Sequence, residues 1–300
     1  GNPDMKIQKR ALVPMCADNG VVEEGVTQTG QEVTAIVAEN FLSGDTSACV
    51  MSRQCGTKVI PVDIGMAVDT KVSKELKVAY GTANMTKGPA MTRAQAVQAL
   101  EAGIEMVRRL KEEGYGLLAT GEMGIGNTTT SSAVIASLLK CEAEQVTGRG
   151  AGLSDAGLIR KQQVIREAIE EYHLYEAEPF EVLRTVGGLD IAGLAGVCIG
   201  GAVHHVPIVL DGVISFAAAL VAERMYPGVR EYLLPSHKGK EPAFEKLMKE
   251  LDLHPVIDAG LALGEGTGAV MLFALLDMAL CVYVEKTTFQ DIEIQPYERF

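Results

Sequence analysis

The sequence predicts an α/β protein with a mainly parallel sheet, and two observations carry that prediction. Short apolar runs end in Gly or Asp, and each run is followed by a stretch with helical spacing. Glycine is abundant, at 32 residues, as is common where tight turns join strands to helices. Continuous apolar runs are typical of strands buried on both faces. Strands that alternate with helices indicate crossover units and parallel pairing.

Four strands are predicted, at residues 11–17, 58–62, 116–120 and 206–210. Clusters of Gly, Asp and Glu follow these strands. Because ligands of open parallel sheets bind at the carboxyl ends of the strands, we expect a site where these clusters meet.

Helices are predicted at residues 31–41, 92–112, 215–225 and 244–251, and two more begin near Ser131 and Val270. For the helix at residues 92–112, the sequence predicts Thr92 as the N-cap and Gly114 as the stop signal. The most apolar stretch, residues 187–220, is interrupted by charged residues and glycines, so it is predicted to be buried core rather than a membrane helix.

The charge balance argues against a nucleic-acid partner. The chain carries 27 Lys+Arg and 39 Asp+Glu, which gives −12 at pH 7, whereas nucleic-acid binding needs a basic surface. A local site for a small anion remains compatible with that charge. The six cysteines include no CxxC pair, and no signal peptide is visible, so we expect reduced thiols, no zinc site and a cytoplasmic protein.

The first chemical motif is GEMGIGNTTT at residues 121–130, between a predicted strand and a predicted helix. Glycines let backbone N–H groups approach an anion, and a helix N-terminus adds positive charge. The alternative is a glycine-rich turn with threonine caps. No Lys follows the last glycine, so the motif is not a Walker A loop.

The second motif is GRGAGL at residues 148–153, followed by Lys161. A flexible segment with a cation nearby suits a phosphate monoester. Arg149 and Lys161 as ordinary surface cations are the alternative.

The remaining motifs offer carboxylates. Asp211 follows a predicted strand, where an Asp is more often a helix cap than a catalyst. Glu265 is flanked by Gly264 and Gly266; desolvation would suit it to act as a general base, and a capping role is the alternative. Neither a nucleophile elbow nor an HExxH motif is present. Together the motifs favour transfer at a phosphorylated small molecule, with one carboxylate base.

In series, these motifs resemble the nicotinate-nucleotide:dimethylbenzimidazole phosphoribosyltransferase family of cobalamin lower-ligand synthesis. The matching stretches occur in constant order from about Ala11 to about Cys281. They are CADNGV at 16–21, VDIG at 62–65, GPAM at 88–91, 121–129, 148–153, 186–193, LDG at 210–212, PSH at 235–237 and LGEGTG at 263–268.

The resemblance implies transfer of the phosphoribosyl group of nicotinate mononucleotide to a benzimidazole nitrogen, giving α-ribazole 5′-phosphate and nicotinate. It assigns the general base to Glu265 and a second carboxylate of the site to Glu122. The substrate-binding residues it implies are Glu122, Met123, Gly124, Gly126, Asn127, Thr128, Gly150, Lys161, Asp211, Ser236 and Gly264. No metal and no cofactor are expected.

The resemblance also implies a homodimer and a parallel, Rossmann-like sheet flanked by helices, with a smaller helical domain from the chain ends. We place the large α/β domain at residues 10–280, and assign residues 1–9 and 281–300 to a reduced small domain or tail. Two departures stand out. Nothing matches the Lys-Pro-Pro-Gly-Ser-Leu-Gly type segment that precedes these motifs in the family, and Asn19 replaces the family's histidine.

These departures leave alternatives open. One alternative is a related transferase whose acceptor is a phenol, a purine or another benzimidazole. The other is a non-catalytic nucleotide-binding subunit that needs a paralogous partner.

Overall fold

Six parallel strands form one sheet in a computed structural model that describes residues 5–295 and 297–298. The strands are β1 (Arg10–Ala17), β2 (Lys58–Val59), β3 (Val62–Gly65), β4 (Leu117–Met123), β5 (Ile208–Leu210) and β6 (Leu233–Pro235). The helices are α1 (Glu32–Ser43), α2 (Ser47–Gln54), α3 (Arg93–Glu112), α4 (Asn127–Leu139), α5 (Asp155–Glu171), α6 (Pro179–Val186), α7 (Leu189–His204), α8 (Val213–Met225), α9 (Phe244–Leu251) and α10 (Thr267–Glu285).

The sheet order is β2-β1-β4-β5-β6, and β3 also pairs with β1. The chain therefore moves to one side of β1 first and then returns to its other side at β4. This reversal makes the carboxyl ends of β1 and β4 the switch point, where an open parallel sheet leaves a crevice for ligands. The predicted α/β class and parallel pairing are confirmed.

Helices cover both faces of the sheet. On β1, the side chains of Ala11, Val13 and Met15 join the larger buried cluster, to which α3, α7 and α8 contribute. Leu12 and Cys16 join the smaller cluster, formed with α1, α2 and the start of α10. Burial on both faces explains why this strand is apolar throughout rather than alternating.

The apolar stretch of residues 187–220 forms α7, β5 and the first part of α8, and it is almost entirely buried, as predicted. Helix α7 packs closely on α3. A Cβ on Gly103 of α3 would lie 2.1 Å from the carbonyl oxygen of Gly193, so only glycine permits this approach. These glycines therefore serve helix packing in the core.

Two helix starts differ from their predicted positions. Helix α4 begins at Asn127 rather than near Ser131, because Gly126 adopts a left-handed conformation with φ 94° and turns the chain directly into the helix. Helix α10 begins at Thr267 rather than near Val270, again after a left-handed glycine, Gly266 with φ 96°. Both turns bring the glycine-rich motifs to the helix N-termini.

Among the described residues, α10 is the helix that is long and apolar enough to cross a membrane. Its first turns are buried against α2, β4 and β5, whereas its second half is largely exposed. Core packing thus accounts for the apolar character of its first part. The predicted domain boundary at residue 280 falls inside this helix, and the separate small domain stays a prediction.

Candidate active site

A cavity of about 550 Å³ opens at the carboxyl ends of β4 and β5, beside the switch point. The first turn of α4, the loop at residues 148–151, the start of α8 and the loops before α9 and α10 form its walls. A smaller pocket of about 90 Å³ adjoins it, between the α4 start and residues 26–29. This is the location that the positions of the motifs predicted.

Lys161 supplies a buried cation behind the cavity wall. Its Nζ donates hydrogen bonds to Thr128 Oγ1 at 2.8 Å and to the Gly148 carbonyl at 3.2 Å, and the side chain is only 1% exposed. Burial lowers the pKa of this ammonium to about 8. Both of these partners are neutral, so the wall favours an anion in the adjoining space.

The glycine of the second motif is required by close packing at this point. Gly150 has φ 54°, and a Cβ there would lie 2.8 Å from Thr128 Oγ1. The loop at residues 148–151 can therefore lie directly over the N-terminus of α4. Backbone amides, a threonine hydroxyl and an ammonium group meet here, which is the donor set that a phosphate monoester needs.

Glu122, the penultimate residue of β4, places a half-buried carboxyl on the cavity wall. The side-chain amide of Asn127 donates a hydrogen bond to its Oε2 atom. Desolvation raises the pKa of Glu122 to about 7, the charges of Asp190 and Asp211 add to that rise, and the bond from Asn127 opposes it. Glu122 thus changes its charge near neutral pH.

Asp211 anchors the loop that precedes α10. Its Oδ2 accepts the N–H of Gly266 at 3.1 Å, and its Oδ1 accepts those of Gly268 at 2.8 Å and Ala269 at 3.1 Å. Burial raises the pKa of this carboxyl. Although Asp211 lines the cavity, both of its oxygens accept N–H groups at the N-terminus of α10, not at the start of α8, the helix that follows it in sequence.

Glu265 lies in that loop in a strained conformation. Its φ of 62° is left-handed, between Gly264 and Gly266, which share that conformation. Its Oε2 accepts the N–H of Ala48, in the first turn of α2, at 3.2 Å. The carboxyl is half-buried and lies outside the lining of the large cavity, whereas Gly264 lies within it.

Ser236 and His237 follow β6 and divide their roles. Ser236 is fully buried; its Oγ lies 2.9 Å from His237 Nδ1 and donates to the Asp211 carbonyl at 3.5 Å. His237 lines the cavity. The structure therefore places the histidine at the wall and the predicted serine behind it.

Most of the predicted binding residues come together. Eight of them line the large cavity: Glu122, Met123, Gly124, Asn127, Thr128, Gly150, Asp211 and Gly264. Gly126 lines the adjoining small pocket. Lys161 stands behind Thr128, and Ser236 stands behind His237.

Sequence reasoning missed part of the far wall, which includes Ser215, Lys240 and Glu241. Ser215 lies in the first turn of α8, and the other two lie in the loop between β6 and α9. The three-residue strand β6 is too short to stand out in the sequence, and the motif recognised after it ends at His237, so nothing singled out Lys240 and Glu241. Ser215 could have been found from the sequence, because it closely follows the Leu210-Asp211-Gly212 motif.

Across residues 5–295 and 297–298, no group of three or more His, Cys, Asp or Glu side chains is placed to hold a metal ion. The cavity offers donors for an anion and buried carboxyls. Such a set suits binding of a phosphorylated compound next to a group that can accept a proton.

The sequence profile of the family described as Phosphoribosyltransferase matches residues 1–294. The chain belongs to this family. It is 45% identical to the nicotinate-nucleotide--dimethylbenzimidazole phosphoribosyltransferase of Clostridium acetobutylicum, over 97% of this chain and 84% of that protein. It is 46% identical to the protein of the same name from Acetivibrio thermocellus, with the same coverage.

The fold agrees with that of a solved member. The crystal structure of CobT from Thermus thermophilus superposes with a TM-score of 0.90 at 40% sequence identity. The match covers 97% of this chain and 87% of that chain. The resemblance inferred from the motifs is thereby confirmed.

Proposed function

We propose that this chain transfers the phosphoribosyl group of nicotinate mononucleotide to a ring nitrogen of a benzimidazole-type base, releasing nicotinate and forming α-ribazole 5′-phosphate. The family membership and the printed names of the relatives support the substrates. The observation that carries the proposal is the buried ammonium of Lys161 directly behind Thr128, on the wall of a cavity that the carboxyl of Glu122 also lines.

The phosphate binds at the start of α4. The helix N-terminus, the loop at residues 148–151 and Lys161 surround this position, and a phosphate dianion there would restore a counter-charge to the buried ammonium. The ribose then extends along the cavity toward Glu122.

The reaction exchanges one C–N bond for another. A lone pair of the acceptor nitrogen attacks the anomeric carbon, and the bond from that carbon to the nicotinate nitrogen breaks. The departing ring carries a positive charge before the step, takes the bonding pair and leaves neutral at its nitrogen, so its departure needs no acid. The acceptor loses its N–H proton to a carboxylate.

Glu265 is our candidate for that base, on the family resemblance, and Glu122 is the second carboxylate of the site. The Glu265 carboxylate accepts the Ala48 N–H in the first turn of α2. Glu122 lines the cavity beside the same loop, with its Oε1 2.9 Å from the position that a Cβ on Gly264 would take.

We also infer a cytoplasmic homodimer. The second half of α10 exposes apolar side chains, among them Met278, Val282 and Tyr283, which a second copy would cover. Reduced cysteines fit the compartment, because all six are free. Light scattering coupled to size-exclusion chromatography measures the mass in solution, and a monomer at assay concentration would exclude the dimer.

The test is a chromatographic assay that follows nicotinate release from nicotinate mononucleotide with 5,6-dimethylbenzimidazole as the acceptor. Parallel reactions with a purine and a phenol rank the acceptors. We expect nicotinate and the ribazole phosphate in equal amounts. A folded protein that binds the mononucleotide, yet releases no nicotinate with any acceptor, would contradict the proposal and favour a non-catalytic subunit.

A further inference from the structure

A second helix, α8, also starts at the cavity, and its first turn lacks a side-chain cap. Residues 212–215 line the wall there, and the residue before the helix, Gly212, has no side chain that could accept the first N–H groups. The first N–H groups of a helix have no partner within the helix, and they carry a partial positive charge. The start of α8 is therefore suited to a negatively charged group in the cavity.

Ser215, in this first turn, has a buried hydroxyl without a hydrogen-bond partner. The residue is 1% exposed, and among the described residues nothing pairs with its Oγ. Ser132, the other serine of the cavity wall, donates its hydroxyl to the carbonyls of Thr128 at 2.8 Å and Val146 at 3.3 Å. Because buried polar atoms are normally paired, the hydroxyl of Ser215 indicates a partner that enters the cavity.

The starts of α4 and α8 lie at the same end of the sheet. The two helices follow neighbouring strands, β4 and β5, and they pack against each other. Both have a glycine at the N-cap, Gly126 and Gly212, and neither has a side-chain cap. A ligand that crosses the cavity therefore meets two helix N-termini, and each of them favours an anionic group.

Nicotinate mononucleotide carries two anionic groups, the phosphate at one end and the ring carboxylate at the other. With the phosphate at the start of α4, the carboxylate is left for α8. We propose that the first turn of α8 and the hydroxyl of Ser215 bind the carboxylate of the nicotinate ring, and that they thereby select nicotinate mononucleotide over nicotinamide mononucleotide. This inference rests on the proposed function for the identity of the ligand.

The charged side chains of the far wall do not supply this preference by themselves. Lys240 and Glu241 both line the cavity, and they carry opposite charges. Glu241 Oε2 is also buried without a partner among the described residues, but it is an acceptor and repels another carboxylate. At the start of α8, by contrast, backbone N–H groups and a hydroxyl all donate. A neutral carboxamide gains less from that position, because it carries no charge.

The experiment measures ligand binding to the full chain by isothermal titration calorimetry, with no acceptor present. The ligands are nicotinate mononucleotide, nicotinamide mononucleotide and ribose 5-phosphate, which lacks the ring. Wild type is compared with Ser215→Ala, which removes the hydroxyl, and with Ser215→Asp, which adds a negative charge. Ser52→Ala is the matched control, because Ser52 is also 1% exposed with an unpaired hydroxyl but lies in α2, outside the cavity lining.

We expect Ser215→Ala to weaken binding of nicotinate mononucleotide about tenfold, as loss of a hydrogen bond to a charged group does, and to leave ribose 5-phosphate within about twofold. The affinity ratio of the two mononucleotides should fall with it. Ser215→Asp should reverse their order, because like charges repel. Ser52→Ala should match wild type. Without ligand, the melting temperature of Ser215→Ala should not fall, because the hydroxyl has no protein partner to lose.

An unchanged affinity ratio of the two mononucleotides in folded Ser215→Ala overturns the inference. If that variant does not fold, Ser215→Asp decides by the same ratio. Failure of the inference and failure of the proposed function are separable. If wild type binds nicotinate mononucleotide but releases no nicotinate with any acceptor, the proposed reaction fails, and the affinity ratios still decide the role of Ser215. A wild type that binds neither mononucleotide overturns both.

Discussion

The Nζ of Lys161 lies 2.8 Å from the Oγ1 of Thr128, with its ammonium buried among neutral partners at the edge of the cavity. A cation in that setting costs free energy in the unliganded protein and gains a counter-charge when an anion binds. One residue thus links the stability of the free protein to its affinity for a phosphate.

Lys161→Met should therefore weaken substrate binding and stabilise the free protein. A charged hydrogen bond is worth about 1.5–3 kcal/mol, so KM for nicotinate mononucleotide should rise about tenfold to a hundredfold. The melting temperature without ligand should rise, and its increase upon adding the mononucleotide should shrink. Lys249→Met, on the exposed part of α9, is the control; equal KM values in both variants would contradict the phosphate site.

Glu122→Gln should change the pH dependence of stability. The folded-state pKa of Glu122 is raised to about 7 from 4.5, so the folded protein holds this proton more tightly than the unfolded chain. The contribution of Glu122 to the free energy of unfolding is therefore full below pH 4.5 and is lost as the pH rises through 7. The melting temperature of Glu122→Gln minus that of wild type should therefore increase between pH 5 and pH 8.

The matched control for this prediction is Glu171→Gln at the exposed end of α5. The difference in melting temperature between Glu171→Gln and wild type should stay constant over that pH range. A constant difference for Glu122→Gln as well would mean that the carboxyl ionises normally.

Asp211→Asn should loosen the start of α10. The carboxylate accepts three backbone N–H groups through its two oxygens, and an amide offers one acceptor and turns an NH₂ toward the others. Leaving buried donors unpaired costs about 1–3 kcal/mol, which urea denaturation measures. Asp252→Asn, an exposed residue after α9, should cost little; an equal loss in the two variants would exclude the anchoring role.

Gly126→Ala should disturb the anion site through the backbone. Gly126 has φ 94°, and an added Cβ would lie 2.9 Å from Val22 Cγ2. A left-handed conformation costs an L-residue about 1–2 kcal/mol, so stability should fall and KM for the mononucleotide should rise. Gly88→Ala, where a Cβ meets open space and φ is ordinary, should leave both unchanged.

Glu265→Gln tests the assigned base. The amide oxygen can still accept the Ala48 N–H, so the melting temperature should hold. Loss of a general base typically lowers kcat about 10²- to 10⁴-fold, as nicotinate release measures. Normal turnover would remove Glu265 from that role and leave Glu122 as the carboxylate to test.

The α/β class, the parallel sheet and the location of the site could all be predicted from the order of the amino acids. The signals were local: apolar runs such as residues 11–17, and glycine-rich motifs at their carboxyl ends. Since parallel strands all end at the same edge, these motifs had to converge once the strands were recognised. The resemblance of the motifs then identified the family.

The roles of the individual carboxyls could not be predicted in this way, because they depend on contacts between distant segments. Asp211 and Glu122 are both acidic residues at strand ends, yet one caps a helix and the other faces the cavity. The difference depends on which backbone amides approach each of them, and those amides come from segments distant in sequence.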